Sequence, residues 1–254
     1  MGTNGAALLG LLEENTHAFW EDFGRQPGGT VGEEGGARWF RSGVPRITYN
    51  GVAGFGDNID RTLARVRAWG LPARWSFSDA SAPAGFEDQL AARGLELHDE
   101  WPGMVARIAD LPVPRLEGAT LEIVREDRQR TAFFDVFCDA FRLPDSAALE
   151  VRAAHEWLSI NDPRRVLLLV TRDGEAVATG LLRGSPGVAG IYGIAVKRAF
   201  QKQGLGALAT LLTVREGARR GAHVAILQAT KEGLPVYQRL GFEAISTFRS
   251  WRIA

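Results

Sequence analysis

The chain has 254 residues, of which 45% are hydrophobic and 24% charged, a composition typical of a folded globular protein rather than a disordered one. Thirty basic residues offset thirty acidic residues, so the chain lacks the one-signed charge that nucleic-acid binding normally requires. The single cysteine, Cys138, excludes an internal disulfide and a cysteine-based metal site, and it predicts a reducing, cytoplasmic location. No apolar run approaches the roughly 18 residues that cross a bilayer, so we expect no membrane partner.

The first half of the chain predicts short strands and helices in alternation, which is typical of mixed α/β units. A helix is predicted to start at Ala6–Leu12, which acidic residues soon follow. At the far end of this half, Leu111–Arg115 contains two prolines, and a residue before proline favours an extended conformation. We therefore predict a linker there and two domains, residues 1–115 and 116–254.

The second half shows a more regular pattern of strands and helices. Strands are predicted at Leu121–Val124, Val166–Thr171, Ala176–Leu182, Ala189–Val196 and Val224–Ala229, and helices at about Asp127–Ile160 and at Gly204–Arg220. The near-continuous apolar run of the last strand suits burial on both faces. The last two strands and the helix between them therefore form a strand, a crossover helix and a parallel strand.

The first half repeats part of this pattern in a weakened form. Val236–Phe242 leads into Arg249–Ile253 much as Gln89–Leu95 leads into Met104–Ile108, with a shared glycine and similar spacing. A strand near Thr48–Val52 also precedes a helix, as in the second half. This repetition predicts an internal duplication and two similar domains packed together.

A basic loop with glycines follows the strand that ends at Val196. The loop Lys197–Gln203 leads to Gly204 and Gly206, which open the next helix. Glycines let the backbone approach a ligand closely, and the unpaired N–H groups of a helix start carry the positive end of the helix dipole. This arrangement favours a pyrophosphate site, to which Lys202 adds positive charge, although glycines that merely permit a tight loop are the alternative.

Two other nucleotide-binding motifs fit this stretch less well. Gly204–Ala209 matches the dinucleotide pattern G-x-G-x-x-A, but that motif places its first glycine directly after the strand and an acid about 20 residues later. Here a seven-residue basic loop intervenes, and Val224–Ala229 contains no acid. A Walker-type loop is excluded because the Gly-Lys-Ser/Thr ending is missing.

Two segments together resemble the motifs of the GNAT acetyltransferase family. Ile194–Val196 followed by Gln201–Gly206 resembles the family's Q/R-x-x-G-x-G/A motif, with the same spacing after the strand. Leu227–Thr230 followed by Pro235–Phe242 resembles the family's next strand and its tyrosine-bearing turn before a Leu-Gly-Phe ending. The chain is therefore identified as a GNAT member, which implies an α/β fold with a mixed sheet, the acyl-CoA N-acyltransferase fold, in two GNAT-like domains in tandem.

The resemblance implies direct transfer of an acetyl group from acetyl-CoA, the acyl donor, to a primary amine in a ternary complex, without a metal. The residues implied to bind acetyl-CoA are Ile194, Ala195, Val196, Gln201, Lys202, Gln203, Gly204, Leu205, Gly206, Ala207 and Thr230. Backbone N–H groups near Ile194–Val196 are implied to stabilise charge on the thioester oxygen, and preorganised donors of this kind contribute about 3 kcal/mol. Tyr237 is implied to protonate the leaving thiolate, the alternative being an aromatic plug beneath its helix.

The sequence does not identify the general base that would deprotonate the amine. An amine of pKa about 10.4 must lose a proton at a cost of roughly 4.6 kcal/mol at pH 7, yet Ile191–Ile194 carries no acid on the strand where the family often has one. Glu150, Glu156 and Tyr192 acting through water are candidates, and each glutamate is otherwise an ordinary solvated residue. His155–Trp157 and Phe141–Pro144 lie where the family places helices that cover the acceptor.

The first half lacks the glycine loop of the second. Its corresponding stretch, Gly54–Asn58, places an acid where phosphates would lie, so we predict one acetyl-CoA site per chain. The four histidines, at positions 17, 98, 155 and 223, share no metal-ligand spacing. We expect a small-molecule amine as the acceptor; acetylation of a protein N-terminus or lysine, a non-catalytic acyl-CoA sensor and a homodimer are left open.

Overall fold

The computed structural model describes residues 3–115, 118–154 and 164–253, which form two compact units. The first unit contains the chain up to Gly103, a segment that begins at Glu150, and the C-terminal segment from Ala244. The second unit contains Met104–Leu149 and the stretch that ends at Glu243. These units do not coincide with the two halves of the sequence, because each unit takes in residues from the other half. The division into domains at residue 115 therefore stays a prediction.

The first half of the chain alternates strands and helices as predicted. Its elements are α1 (Thr3–Gly24), β1 (Thr30–Glu34), β2 (Ala37–Arg41), β3 (Asn50–Ala53), α2 (Ile59–Arg67), β4 (Ala73–Ser78), α3 (Phe86–Ala91) and β5 (Glu96–Arg107). Strands β1, β2 and β3 pair antiparallel in that order. Strands β3 and β4 pair parallel, and α2 connects them. Trp75 and Phe77 of β4 are fully buried and anchor the apolar core of this unit.

The second half confirms the predicted strands and the helix after β9 within a few residues. The helical region predicted from Asp127 contains two helices, and its predicted end at Ile160 lies outside the described residues. The elements of this half are β6 (Thr120–Ile123), α4 (Asp127–Ala140), α5 (Asp145–Ala154), β7 (Arg165–Arg172), β8 (Glu175–Ser185), β9 (Val188–Val196), α6 (Leu205–Arg219), β10 (Val224–Gln228), α7 (Leu234–Leu240) and β11 (Glu243–Ile253). Strands β6 to β9 pair antiparallel in order, and β10 pairs parallel with β9. The sequence predicts an inward stripe of Leu205, Leu208 and Leu212 on α6. Leu205 and Leu212 are buried, and Leu208 is half-buried against the same apolar core.

The two halves share one order of elements, which supports the predicted duplication. In each, a parallel strand pair encloses a crossover helix, and a short helix and a long strand follow: β3-α2-β4-α3-β5 in the first half and β9-α6-β10-α7-β11 in the second. On its other side, β4 pairs antiparallel with β11, from Phe248 to Ile253 of β11. The mixed α/β fold is therefore confirmed, with one βαβ crossover in each half.

Candidate functional site

Strand β9 is distorted near its C-terminal end. Its pairing with β8 jumps from Leu181–Tyr192 to Thr179–Ala195, so β9 carries one extra residue there. Gly193 lies in this bulge with φ +57°, a conformation that a residue with a Cβ adopts only at a cost. The hydroxyl of Thr179 on β8 donates a 2.7 Å hydrogen bond to the Gly193 carbonyl. The bulge is therefore held by a side chain of the neighbouring strand.

The parallel strands β9 and β10 separate where the bulge begins. Their pairing runs from Val188–Val224 to Gly190–Ile226, although β9 continues for six more residues. In the first unit, by contrast, β3 stays paired with β4 to its end, and the Gly54 N–H beyond it still donates to Ser76 O at 3.0 Å. Of the two crossover units described, only the β9–β10 unit has an opening between its parallel strands. The last residues of β9 line that opening.

The loop after β9 is held in place by several side chains. Asp139 of α4 accepts hydrogen bonds from the Arg198 backbone N–H (2.7 Å) and from the Arg198 guanidinium (3.0 Å). Both contacts lower the pKa of the Asp139 carboxyl, and the bond from the backbone N–H has the larger effect. Gln201 donates to Val196 O at 3.2 Å, and Gln203 accepts a 2.8 Å bond from Arg172. The side chains of the two predicted glutamines thus hold the loop together with Asp139.

The basic residue between those glutamines differs from them. Lys202 is exposed and adopts φ +62°, and it has no ion-pair partner among the residues that the structure describes. Its charge is therefore available beside the start of α6, as the sequence predicts.

The start of α6 is open for a ligand. Gly204 occupies the position before the helix with φ +78°, and no side chain of the described residues is found to cap the first turn. A Cβ added at Gly206 would meet only Val196, at 3.8 Å, which is ordinary contact. A glycine inside a helix costs about 1 kcal/mol relative to alanine, so Gly206 is unfavourable for the isolated fold and suits close approach of a ligand.

The equivalent helix of the first unit, α2, is closed by its own side chains. Asn58 accepts a 3.0 Å bond from the Arg61 N–H and so caps the helix, and Asp60 lies in its first turn. The cap occupies one of the N–H groups that an anion would use, and the acidic side chain makes the field at the helix start less favourable for an anion. This difference supports the prediction of one acetyl-CoA site per chain.

Replacing Asn58 with alanine should lower the free energy of unfolding by about 1 kcal/mol, because the Arg61 N–H loses its acceptor. Urea denaturation measures the change, and Asn58→Asp serves as a control because aspartate also caps. Coenzyme A affinity should stay unchanged in both variants. An alanine variant as stable as the parent would show that Asn58 does not stabilise α2.

Tyr237 lies on α7 and its side chain reaches α6. Its phenol lies beside the side chain of Thr210, whose hydroxyl donates to Gly206 O at 2.8 Å. Burial raises the pKa of the Tyr237 phenol to about 12, although the Thr210 contact opposes the rise. The ring packs against Gly233, where an added Cβ would come within 2.8 Å of it. Tyr237 is therefore protonated at neutral pH, and it lies beside Thr210, which is one turn of α6 after Gly206.

Thr230 lies just before α7. Its hydroxyl oxygen accepts a 3.1 Å bond from the Gly233 N–H, and its carbonyl accepts one from Leu234 at 2.9 Å. The side chain is exposed and its own O–H is still available to donate. Its predicted contact with acetyl-CoA stays a prediction, alongside this local structural role.

The candidate general bases have different surroundings. Glu150 forms a 2.9 Å ion pair with Arg46 of the same unit, so its carboxylate is already engaged. Tyr192 is buried on β9, two residues before Ile194. Glu156 and the segment His155–Trp157 lie outside the described residues, and the choice of base stays open.

The other residues that the sequence analysis singled out lie outside the site around α6. Cys138 is buried in α4, and Phe141, predicted near the acceptor, is 46% exposed. Burial, with the nearby Arg38 charge as a smaller cause, lowers the pKa of the His17 imidazole to about 4. Across residues 3–115, 118–154 and 164–253, no three metal-ligating side chains cluster. No helix in those ranges is long and apolar enough to cross a membrane.

Sequence reasoning missed three residues that support this site. Thr179 holds the bulge of β9, Thr210 lies beside the phenol of Tyr237, and Asp139 holds the loop after β9. Thr210 follows Gly206 by four residues, so helical spacing could have placed it on the same face. Thr179 and Asp139 carry no such signal, because their partners are 14 and 59 residues away in sequence.

Comparisons with known proteins agree with this geometry. Residues 130–242 match the Acetyltransferase (GNAT) family. A GCN5-related N-acetyltransferase from Kribbella flavida is similar in structure, with a TM-score of 0.74 and 19% identity over 95% of this chain and 94% of that chain. A functionally unknown conserved protein from Staphylococcus epidermidis reaches a TM-score of 0.66 at 15% identity, over 87% of this chain and 92% of that chain.

A tandem GNAT protein from the clavulanic acid biosynthesis pathway shares the fold as well. It has a TM-score of 0.59 and 15% identity, over 89% of this chain and 80% of that chain. A comparison with curated proteins finds no match. At these identities the solved structures establish the fold, and the match over residues 130–242 identifies a GNAT acetyltransferase domain in the second half of the chain.

Proposed function

We propose that this chain transfers the acetyl group of acetyl-CoA directly to a primary amine of a small molecule, in a ternary complex of donor, acceptor and enzyme. The observation that carries this proposal is the meeting of three features in one unit: the separated end of β9, the uncapped start of α6 and the protonated phenol of Tyr237. The family supports an acyltransferase; the donor, the acceptor and the residue roles below are our proposal.

The start of α6 would hold the diphosphate of acetyl-CoA. Backbone N–H groups of the first turn are the donors, with the loop residue Gln203 and the helix residues Leu205 and Ala207 flanking the two glycines. Lys202 adds a positive charge that solvent screens. Because Gly206 presents no side chain, the phosphates can lie against the helix backbone, and this fits the geometry of Gly204 and Gly206 described above.

The separated end of β9 would hold the thioester. Backbone groups of Ile194, Ala195 and Val196 have no parallel partner strand at this point, so they can bond the extended arm of coenzyme A as a β-strand would. The thioester carbonyl gains negative charge when the amine attacks, and a fixed N–H donor at that oxygen is what catalysis of this reaction needs. The bulge at Gly193 sets the direction of the nearby amide.

Tyr237 would act on the leaving sulfur. A phenol of pKa about 12 holds its proton through the neutral range, so it is always able to donate a hydrogen bond. Complete transfer of that proton to a thiolate, whose conjugate acid has a pKa of about 8.5, is uphill. We therefore assign Tyr237 the stabilisation of the thiolate by a hydrogen bond, with final protonation by solvent.

The acceptor is a neutral amine once a base has removed its proton. We keep Glu150, Glu156 and Tyr192 as candidates for that base. The choice of a small molecule is supported by the doubled fold, which the tandem GNAT protein of the clavulanic acid pathway shares, and by the balanced net charge, which offers no steering field for a charged macromolecule.

The direct test measures thiol release from acetyl-CoA with a panel of small amines, polyamines, aminoglycosides and lysine peptides. We expect turnover above hydrolysis with at least one small amine and none with the peptides. Turnover on peptides alone would indicate a protein acetyltransferase. Binding of acetyl-CoA without turnover on any acceptor would indicate an acyl-CoA sensor, and preference for NAD over acetyl-CoA would overturn the proposal.

A further inference from the structure

A single buried hydroxyl fixes the peptide group at the bulge of β9. Thr179 is 0% exposed, and its Oγ1 donates to the Gly193 carbonyl at 2.7 Å. No cis peptide bond occurs in the described chain, and in a planar trans peptide the C=O and the following N–H point in opposite directions. Because the Gly193 C=O points to Thr179 on β8, the Ile194 N–H points away from β8.

The opposite side of β9 is the side from which β10 has separated. Pairing between β9 and β10 ends at Gly190, so the Ile194 N–H faces the opening in the sheet. Gly193 has φ +57° and no side chain to restrict it, and glycine tolerates several orientations of an adjacent peptide group. The hydrogen bond from Thr179 therefore selects the orientation in which this N–H is aimed at the opening.

We propose that Thr179 is a positioning residue that aims the Ile194 N–H at the carbonyl oxygen of the bound acyl group. The inference rests on the proposed function and deepens it. Free coenzyme A has no carbonyl at this point, so the Ile194 N–H discriminates acetyl-CoA from coenzyme A. Thr179 thereby contributes to acyl recognition in the ground state and to charge stabilisation as the amine attacks, without touching either substrate.

The test compares the affinities for acetyl-CoA and coenzyme A by calorimetry in Thr179→Val, which keeps the side-chain shape and loses the hydroxyl. We expect the Kd for acetyl-CoA to rise about 3- to 10-fold, as for loss of one hydrogen bond, while the Kd for coenzyme A stays within about 2-fold. The turnover rate should fall by about 10- to 100-fold. Thr179→Ser, which retains the hydroxyl, should restore most of both losses.

Thr213 provides a matched control in the same unit. Its hydroxyl is also fully buried and donates to a backbone carbonyl, Ala209 O at 2.8 Å, but lies within α6. Thr213→Val should leave the ratio of the two affinities unchanged.

A second measurement uses the unmodified protein and does not depend on turnover. Both ligands place their arm beside β9, so the amide NMR signal of Ile194 should shift with each, and it should shift further when acetyl-CoA binds than when coenzyme A binds. An Ile194 signal that responds alike to both ligands, or equal losses of affinity for both in Thr179→Val, overturns the inference. If the unmodified protein binds neither ligand, the proposed function itself is wrong.

Discussion

Replacing Gly206 with aspartate should weaken coenzyme A binding by about 100-fold or more while leaving the unliganded protein as stable as before, or more stable. Residue 206 is the second of helix α6, where a negative side chain favours the helix dipole by about 0.3–1 kcal/mol. The site has room for the new side chain, since a Cβ would meet only Val196. The same charge would lie within a few ångströms of the diphosphate, where like charges repel by about 3 kcal/mol.

Asparagine at the same position separates charge from size. Gly206→Asn adds a side chain of equal volume without the negative charge, and we expect it to weaken coenzyme A binding by only about 5- to 10-fold. Calorimetry measures both affinities, and urea denaturation of the unliganded variants measures their stabilities. Added salt should recover part of the aspartate variant's loss, because it screens the repulsion.

Equal affinity in the two variants would contradict the assignment of the diphosphate to the start of α6. A loss of stability in Gly206→Asp would contradict the inference that the fold itself does not need a glycine there. The opposite directions of the two effects make the result hard to attribute to misfolding.

Local pattern was sufficient to predict the crossover from β9 through α6 to β10. The apolar run of β10, the stripe of Leu205, Leu208 and Leu212 and the glycines at the helix start each carry a short-range signal. All three signals agree with the structure, although Leu208 is only half-buried. The repeated order of elements in the two halves was predictable for the same reason. It rests on spacing between motifs rather than on any single residue.

Strand length and pairing were harder to predict. The sequence predicts a strand only at Met104–Ile108, whereas β5 begins at Glu96. The added residues include exposed charged side chains and Pro102, which give no strand signal. The pairing of β11 with β4 was also beyond the sequence, because a hydrophobic pattern fixes which face of a strand is buried but not which strand lies beside it.

The candidate site divides in the same way. Gly204, Gly206 and Tyr237 belong to short motifs and could be identified from the sequence, and the structure brings all three to the same end of α6. Thr179 and Asp139 act through backbone groups of distant residues. Such bonds depend on strand register and loop geometry, so they become visible only after the chain has folded.

Replacing Tyr237 with phenylalanine should lower the turnover rate by about 100-fold, with the Kd for acetyl-CoA changed by no more than about 2-fold. The ring and its packing against Gly233 are kept, and only the hydroxyl is lost. A positioned acid typically contributes about 10²–10⁴-fold to a reaction, and donation of a hydrogen bond without full proton transfer belongs at the lower end. Turnover under saturating acetyl-CoA and amine, with calorimetry for the affinity, measures both quantities.

The pH dependence distinguishes this role further. Since the folded pKa of Tyr237 is about 12, above the ordinary value of 10.0, its proton is retained across the whole neutral and moderately alkaline range. Ionisation of Tyr237 should therefore cause no fall in the turnover rate below about pH 11. A fall with a midpoint near pH 10 that disappears in Tyr237→Phe would contradict the effect of burial on this phenol.

Tyr49→Phe is the matched control, because it removes another buried phenol, in the first unit, and should leave turnover unchanged. The alternative role for Tyr237, an aromatic plug beneath α7, predicts the reverse pattern. A plug needs only the ring, so Tyr237→Phe would be fully active and only Tyr237→Ala would be impaired, through lost packing and lower stability. Full activity in the phenylalanine variant would therefore remove Tyr237 from the chemistry and leave the thiolate to be stabilised by backbone N–H groups and solvent.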